Sequence, residues 1–184
     1  SALKELIENS LDANATQIDI IIENGGKNLI SVSDNGFGIQ RDQIPLAIER
    51  HATSKLPDNH FNKIEYLGFR GEALPSIAAV SELNLQSKYI NSNQAWSLDI
   101  SAGNFNEVYP SSLEIGTRVS LKKLFFATPA RLKFLKSSQV EKSYCHQVIL
   151  KMALVNPVVG FSFKADKREL INIKPENKSD GLYL

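Results

Sequence analysis

Cysteine is almost missing: among 184 residues only Cys145 occurs. One thiol cannot close an internal disulfide. With no CxxC pair and no Cys/His ligand spacing, a structural zinc site is excluded and a reducing cytoplasm is the expected compartment. Long apolar runs are missing too. A membrane-spanning helix needs about 18 or more apolar residues, and the best stretch, after Val148, is broken at Lys151, so a soluble chain is expected. Excess charge of either sign is lacking. The 21 Lys plus Arg face 20 Asp plus Glu, a formal charge of +1, so any attraction to nucleic acid or membrane must be local. The only methionine is Met152 and the chain opens on Ser1, which reads as a fragment without its natural beginning; no signal peptide is visible. Two nucleotide motifs are absent as well. No GxxxxGK[ST] phosphate loop occurs, and Gly36-Phe37-Gly38 runs on to Arg41 without the third glycine of a dinucleotide fingerprint.

What is present describes one ordinary domain. A composition of 42% hydrophobic and 22% charged residues suits a globular fold, and at this length about 70% of the unfolded surface can be buried. Residues 2–13 repeat with helical period, with Leu3, Leu6, Ile7 and Leu11 on one side and Glu5, Asn9 and Asp12 on the other. Strand patterns follow over 16–23 and 28–33, joined by Asn24-Gly25-Gly26 as a hairpin, and 41–50 returns to helical spacing. The polar stretch 51–71 is long for a loop inside a compact domain and is expected to be a lid. A helix is expected over 72–79, with Pro75 in its first turn. Strands are expected over 83–89, 95–100, 105–109 and 117–124, as a meander. Thr128-Pro129 reads as an N-cap and first helical residue, 139–155 as a longer helix with its leucines and valines in the core, and 158–173 as a hairpin.

Three stretches carry chemistry. On the first helix, Glu5, Asn9 and Asp12 align along one face, so an amide oxygen could hold Mg²⁺ while Glu5 activates a water. The same stripe is also the normal solvated side of an amphipathic helix. In Asp34-Asn35-Gly36-Phe37-Gly38-Ile39, a carboxylate at a strand end is followed by glycines that let backbone come close to a flat ligand, though DNG is equally ordinary turn chemistry. Leu67-Gly68-Phe69-Arg70-Gly71-Glu72-Ala73-Leu74 opens a helix on two glycines, and free N–H groups there suit an anion. Order and company change the balance between these alternatives, because a fourth element, Gly116-Thr117, then opens a strand.

Taken together, KELIENSLDA (Lys4 to Ala13), DNGFGI (Asp34 to Ile39), RHATSK (Arg50 to Lys55), GFRGEAL (Gly68 to Leu74), GT (Gly116-Thr117) and TPARLKFL (Thr128 to Leu135) make the chain resemble the N-terminal ATPase domain of the MutL family of DNA mismatch repair proteins. That family lies in the superfamily of gyrase B, ATP-dependent heat-shock chaperones and sensor histidine kinases. The resemblance covers almost the whole chain, and HATSK and GFRGEAL set this family apart from its cousins. Two departures are Asn14, where glycine is common, and Ala127, where asparagine is usual.

The resemblance implies a Bergerat-type α/β two-layer sandwich, with a mixed, mostly antiparallel sheet and helices on one face. It implies that 1–184 is a single ATP-binding domain lacking its N-terminal arm and following domain, from which a further lysine would reach the γ-phosphate. Glu5 is implied as the general base and Asn9 as the Mg²⁺ ligand. Asp34 is implied as acceptor for the adenine amino group, supported by Thr117, with Ala13 and Gly38 lining the base pocket. Thr53, Ser54 and Lys55, with Leu67, Gly68, Phe69, Arg70, Gly71, Glu72, Ala73 and Leu74, are implied as the lid over the phosphates. The implied function is ATP binding and slow Mg²⁺-dependent hydrolysis, driving a conformational clamp in bacterial, cytoplasmic mismatch repair, and weak or inactive in this stretch alone. Implied partners are the mismatch-recognition protein MutS, downstream repair factors and a second copy in an ATP-dependent homodimer.

The alternatives are another ATPase of the superfamily, a chaperone or topoisomerase, and a non-enzymatic DNA-binding or scaffold module with an inert pocket. Residues 118–142 hold seven basic residues against Glu141 alone, so weak DNA contact through Arg131, Lys133 and Lys136 is a candidate beside an ordinary solvated face. Cys145 and His146 are expected as packing residues.

Overall fold

The computed structural model describes residues 2–49, 78–124, 126, 130, 133 and 136–177. The expected lid, most of the helix expected over 72–79, Thr128-Pro129 and Ala127 lie outside them. Helix α1 is Ala2–Asp12, β1 Gln17–Glu23 and β2 Leu29–Asp34. Helix α2 is Ile44–Glu49, preceded by a 3-10 turn at Arg41–Gln43. Then come β3 (Glu82–Lys88), β4 (Ala95–Ser101), β5 (Asn104–Phe105), β6 (Tyr109–Ser111), β7 (Gly116–Lys122), α3 (Ser138–Val155), β8 (Gly160–Ala165) and β9 (Arg168–Ile173). One sheet runs β5-β4-β3-β7-β2-β1-β8-β9, with β6 also on β4. Its only parallel pair among the described strands is β1 with β8.

Alternation decides which face is covered. In β1, Ile18, Ile20 and Ile22 are buried while Asp19, Ile21 and Glu23 are exposed, a period of two with one half-wet face. Register carries that pattern across the sheet, pairing Ile20 with Val32 and Phe163, Val32 with Val119, and Val119 with Leu85. Helix α1 packs on β2, and α3 packs on β8 and β9. The other face is laced by polar pairs, with Arg118 Nε donating to Ser33 Oγ at 2.9 Å and Asn84 Nδ2 to Asp99 Oδ1 at 2.6 Å. The two-layer architecture expected from the sequence is what is observed.

Three expectations need correction. The strands from 83 onward do not form a meander, because β7 leaves the β4 edge and inserts between β3 and β2. Its inward Val119 and Leu121 are buried, which an edge position would not achieve. The strand expected over 105–109 is two short edge pieces, β5 and β6, and Pro110 in β6 has no N–H for a ladder, a residue confined to edges. The side expected on α1 is observed, with Leu3, Leu6 and Ile7 buried, Leu11 partly buried against the core, and Ser10 buried beside them. On α3 the buried residues are Cys145, Ile149 and Ala153, whereas Leu154 is 80% and Val155 73% exposed.

Cys145 packs as expected. Burial first, and then the Glu141 carboxylate, push its thiol up to about 11, so it stays protonated and unreactive. His146 sits with its ring 6.4 Å from that of Phe163.

Candidate functional site

At the C-terminal end of α1 the helix stops in a Schellman motif. Ala15 N–H donates to the Ser10 carbonyl at 3.1 Å and Asn14 N–H to the Leu11 carbonyl at 3.0 Å. Asn14 itself takes a left-handed φ of 59°. Such a position favours glycine and accepts asparagine next best, which accounts structurally for asparagine at this position.

The chain then meets the DNG loop, and each residue of that loop has separate work. Asn35 clamps the entry to β1, its Oδ1 accepting from Thr16 N–H at 2.8 Å and Gln17 N–H at 2.9 Å. Gly36 packs on α1, where an added Cβ would stand 2.6 Å from the Ala13 carbonyl oxygen. Gly38, at φ +73°, has no room for a Cβ against the Lys88 carbonyl. The glycines therefore serve close approach of backbone to backbone, Gly36 against α1 and Gly38 against the end of β3.

Asp34 points to the covered face, in register with Ile18 on one side and Thr117 on the other. Ser10 Oγ lies 2.8 Å from Asp34 Oδ2, and Gly36 N–H donates to Oδ1 at 2.9 Å. Burial raises the Asp34 carboxyl above its ordinary range, opposed by hydrogen bonds from Ser10, Gly36 N–H and Thr117 N–H. A carboxylate offers about four acceptor positions, so these three donors leave one for a ligand.

Around this carboxylate is a cavity of about 340 Å³ bordered by Asn9, Ala13, Asp34, Gly38 and Thr117, within the usual size range of small-molecule sites. Leu6, Val32, Ile48, Leu85 and Val119 supply apolar walls. Apolar walls beside a carboxylate suit a mostly apolar ligand that carries a hydrogen-bond donor. Glu5 does not border the cavity; it is half-buried on α1, four residues and hence about 6 Å along the helix axis from Asn9. Asp12 does border it, at the exposed rim. Among the described residues no group of three or more His, Cys, Asp or Glu could hold a metal. Asn9, which borders the cavity, is the residue there that suits Mg²⁺, an ion that takes one or two protein ligands beside substrate phosphates.

The cavity, with its carboxylate between α1 and β2, is paralleled by sequence over a large part of the chain. Residues 1–121 match the family described as histidine kinase-, DNA gyrase B-, and HSP90-like ATPase. The chain belongs to this ATPase family. It is 44% identical over 184 residues to the DNA mismatch repair protein MutL of Paramagnetospirillum magneticum, covering 100% of this chain and 30% of that protein. It is 46% identical over 178 residues to MutL of Rickettsia felis, covering 97% of this chain and 29% of the relative. The chain thus spans less than a third of these curated relatives. Among solved structures, the Aquifex aeolicus MutL ATPase domain complexed with ADP superposes with a TM-score of 0.79 at 32% identity, over 96% of this chain and 63% of that one. An N-terminal domain of a DNA repair protein gives 0.73 at 30% identity, over 96% and 53%.

Of the residues named from the sequence, Asn9, Ala13, Asp34, Gly38 and Thr117 border one cavity. Thr53 to Lys55 and Leu67 to Leu74 lie outside the described residues. Two residues that sequence reasoning missed are Ser10 and Ser87. Ser10 hides inside the apolar stripe of α1, and its position one helical turn from Leu6 was the available signal. Ser87 is fully buried, and its Oγ lies 2.8 Å from Ile39 N, 3.0 Å from the Gly116 carbonyl oxygen and 2.9 Å from Thr117 Oγ1. Nothing local in β3 marks it.

Proposed function

We propose that this chain is the ATP-binding and ATP-hydrolysing part of a bacterial, cytoplasmic DNA mismatch repair protein of the MutL kind. The observation that carries the reading is the cavity bordered by Asn9, Asp34, Gly38 and Thr117 in a chain of the ATPase family. Asp34, partly removed from water, accepts from the adenine amino group, with Thr117 beside it and Ala13 and Gly38 against the base. Asn9 would hold Mg²⁺, which supplies neutralisation of phosphate charge. Glu5, farther along the same helix face and so nearer the phosphates, takes the proton of the water that attacks the γ-phosphorus as the bond to the β-phosphate oxygen breaks. Thr53, Ser54 and Lys55 with residues 67–74 close over the phosphates and exclude water. Lid closure on ATP, dimerisation with a second copy, engagement of MutS and downstream factors, and weak DNA contact through Arg131, Lys133 and Lys136 make up the clamp. In support of DNA contact, Lys133 and Lys136 are exposed.

The test is Glu5→Ala in a protein extended to the length of the relatives. Affinity for ATP should stay while hydrolysis falls by about 10²- to 10⁴-fold, the usual worth of a positioned base. Asn9→Ala should lose binding that depends on Mg²⁺, read by titration with and without the metal. Normal turnover in the Glu5 variant removes its assignment, and a wild-type chain that ignores ATP leaves the inert module as the answer.

A further inference from the structure

We infer that Ser87, buried behind the cavity, sets the hydrogen-bond polarity of Thr117 and thereby makes this corner selective for a base whose edge carries an amino group. This rests on the reading that the cavity takes an adenine nucleotide. Ser87 Oγ has one proton and two lone pairs, and three partners surround it. The Gly116 carbonyl at 3.0 Å can only accept, so it takes the Ser87 proton. Ile39 N–H at 2.8 Å can only donate, so it fills one lone pair. The remaining lone pair faces Thr117 Oγ1 at 2.9 Å, and the Thr117 hydroxyl must therefore donate to Ser87.

Once its proton is committed backwards, Thr117 has only lone pairs to offer the cavity. Asp34 beside it also only accepts, since its oxygens take protons from Ser10 and from backbone N–H groups. The corner then presents acceptors from two neighbouring strands in register, Asp34 on β2 and Thr117 on β7. An exocyclic amine satisfies them. A 6-oxo base turns a carbonyl oxygen towards them, and its single N1–H can meet only one of the two, so a desolvated acceptor is left unpaired, the costly outcome for a buried polar group. Ser87 touches no ligand in this scheme; it is a positioning residue, acting through Thr117 from the next strand.

The experiment measures binding of ATP and of inosine triphosphate, which carries a 6-oxo group in place of the amine, to this chain by calorimetry. Ser87→Ala releases the Thr117 hydroxyl to turn into the cavity and donate, so the preference for ATP over inosine triphosphate should fall about fivefold, the worth of one neutral hydrogen bond. Thr117→Val should lower the same ratio, and adding Ser87→Ala to Thr117→Val should lower it no further. A purely structural Ser87 would weaken both nucleotides equally, so an unchanged ratio in Ser87→Ala overturns the inference, as does a further fall in the double variant. If Ser87→Ala does not fold, Ser87→Cys keeps the volume with a weak acceptor and the same fall is expected. Asp34→Asn is the separate control: unchanged ATP affinity there means the adenine reading itself has failed, whatever Ser87 does.

Discussion

One row of the sheet crosses the whole covered face and changes character half-way. Under α3 it presents Ile173, Phe161 and Ile18, and past β1 it continues as Asp34, Thr117 and Ser87. The first half is closed: Ile18, Phe161, Phe163 and Ile149 are fully buried, aromatic rings filling the space beneath the helix. The second half borders a cavity, and its polar side chains answer one another through Ser10, Gly36 N–H and the Gly116 carbonyl. The backbone ladder is continuous through both. A polar corner has thus been made within an otherwise apolar layer by exchanging one row of side chains, while the next row, Phe163, Ile20, Val32, Val119 and Leu85, stays apolar.

The comparison breaks hardest at Phe163. Phe163→Ala empties a fully buried ring site in the closed half and should cost about 3–5 kcal/mol of stability by urea unfolding, while the folded fraction keeps its ATP affinity. A loss of affinity in folded protein would show that the two halves are not separable.

Asp34→Asn should do the reverse. It should weaken adenine nucleotide binding by about 1–3 kcal/mol, because the amide can turn a donor towards the amino group, with stability of the free protein at neutral pH not lowered. The pH dependence sharpens this. Because burial raises the folded-state value above the ordinary 3.8, the unfolded chain releases the Asp34 proton more readily than the folded one. The stability linked to Asp34 is therefore full below pH 3.8 and lost as pH rises through the raised value. Wild type should gain stability relative to Asp34→Asn as pH is lowered from neutrality towards 4, by unfolding at stepped pH. A gain on raising pH instead would mean that hydrogen bonding outweighs desolvation.

A smaller effect lies at the joint between α1 and the cavity. Asn14→Ala places a Cβ-bearing residue without a local polar side chain at φ 59° and should cost about 1 kcal/mol, while Asn14→Gly stays close to wild type, in thermal unfolding. Equal losses in both would point to a side-chain role for Asn14. The smallest effect belongs to the outer face of α3, where Leu154→Gln should stay within about 0.5 kcal/mol, since Leu154 is 80% exposed.

Much of this was legible because it is local. The period-two alternation in 16–23, the helical spacing over 2–13, the stop at Asn156-Pro157 and the final hairpin depend on neighbours a few residues away, and the structure places elements there. The motif residues Asn9, Asp34, Gly38 and Thr117 were legible as a set, and they border one cavity. The leucines and valines of α3 misled, because hydrophobic content alone does not say which side of a helix meets the sheet. Its buried side is Cys145, Ile149 and Ala153, and the helix packs on β8, which carries Phe161 and Phe163.

The amino-acid sequence by itself determined most of the elements, the family and the set of motif residues that border the cavity, since propensity, periodicity and short motifs act over one or two turns of chain. Only the tertiary structure decided that β7 enters between β2 and β3, and that the hydroxyls of Ser10 and Ser87 join Asp34 and Thr117. Ser10 reaches Asp34 across 24 residues, Ser87 reaches Ile39 across 48 and Thr117 across 30. Hydrogen bonds at such separations depend on strand order and register, which follow from burying Val32, Val119 and Leu85 on one face at once. No window of sequence contains that condition, because it is satisfied by the sheet as a whole.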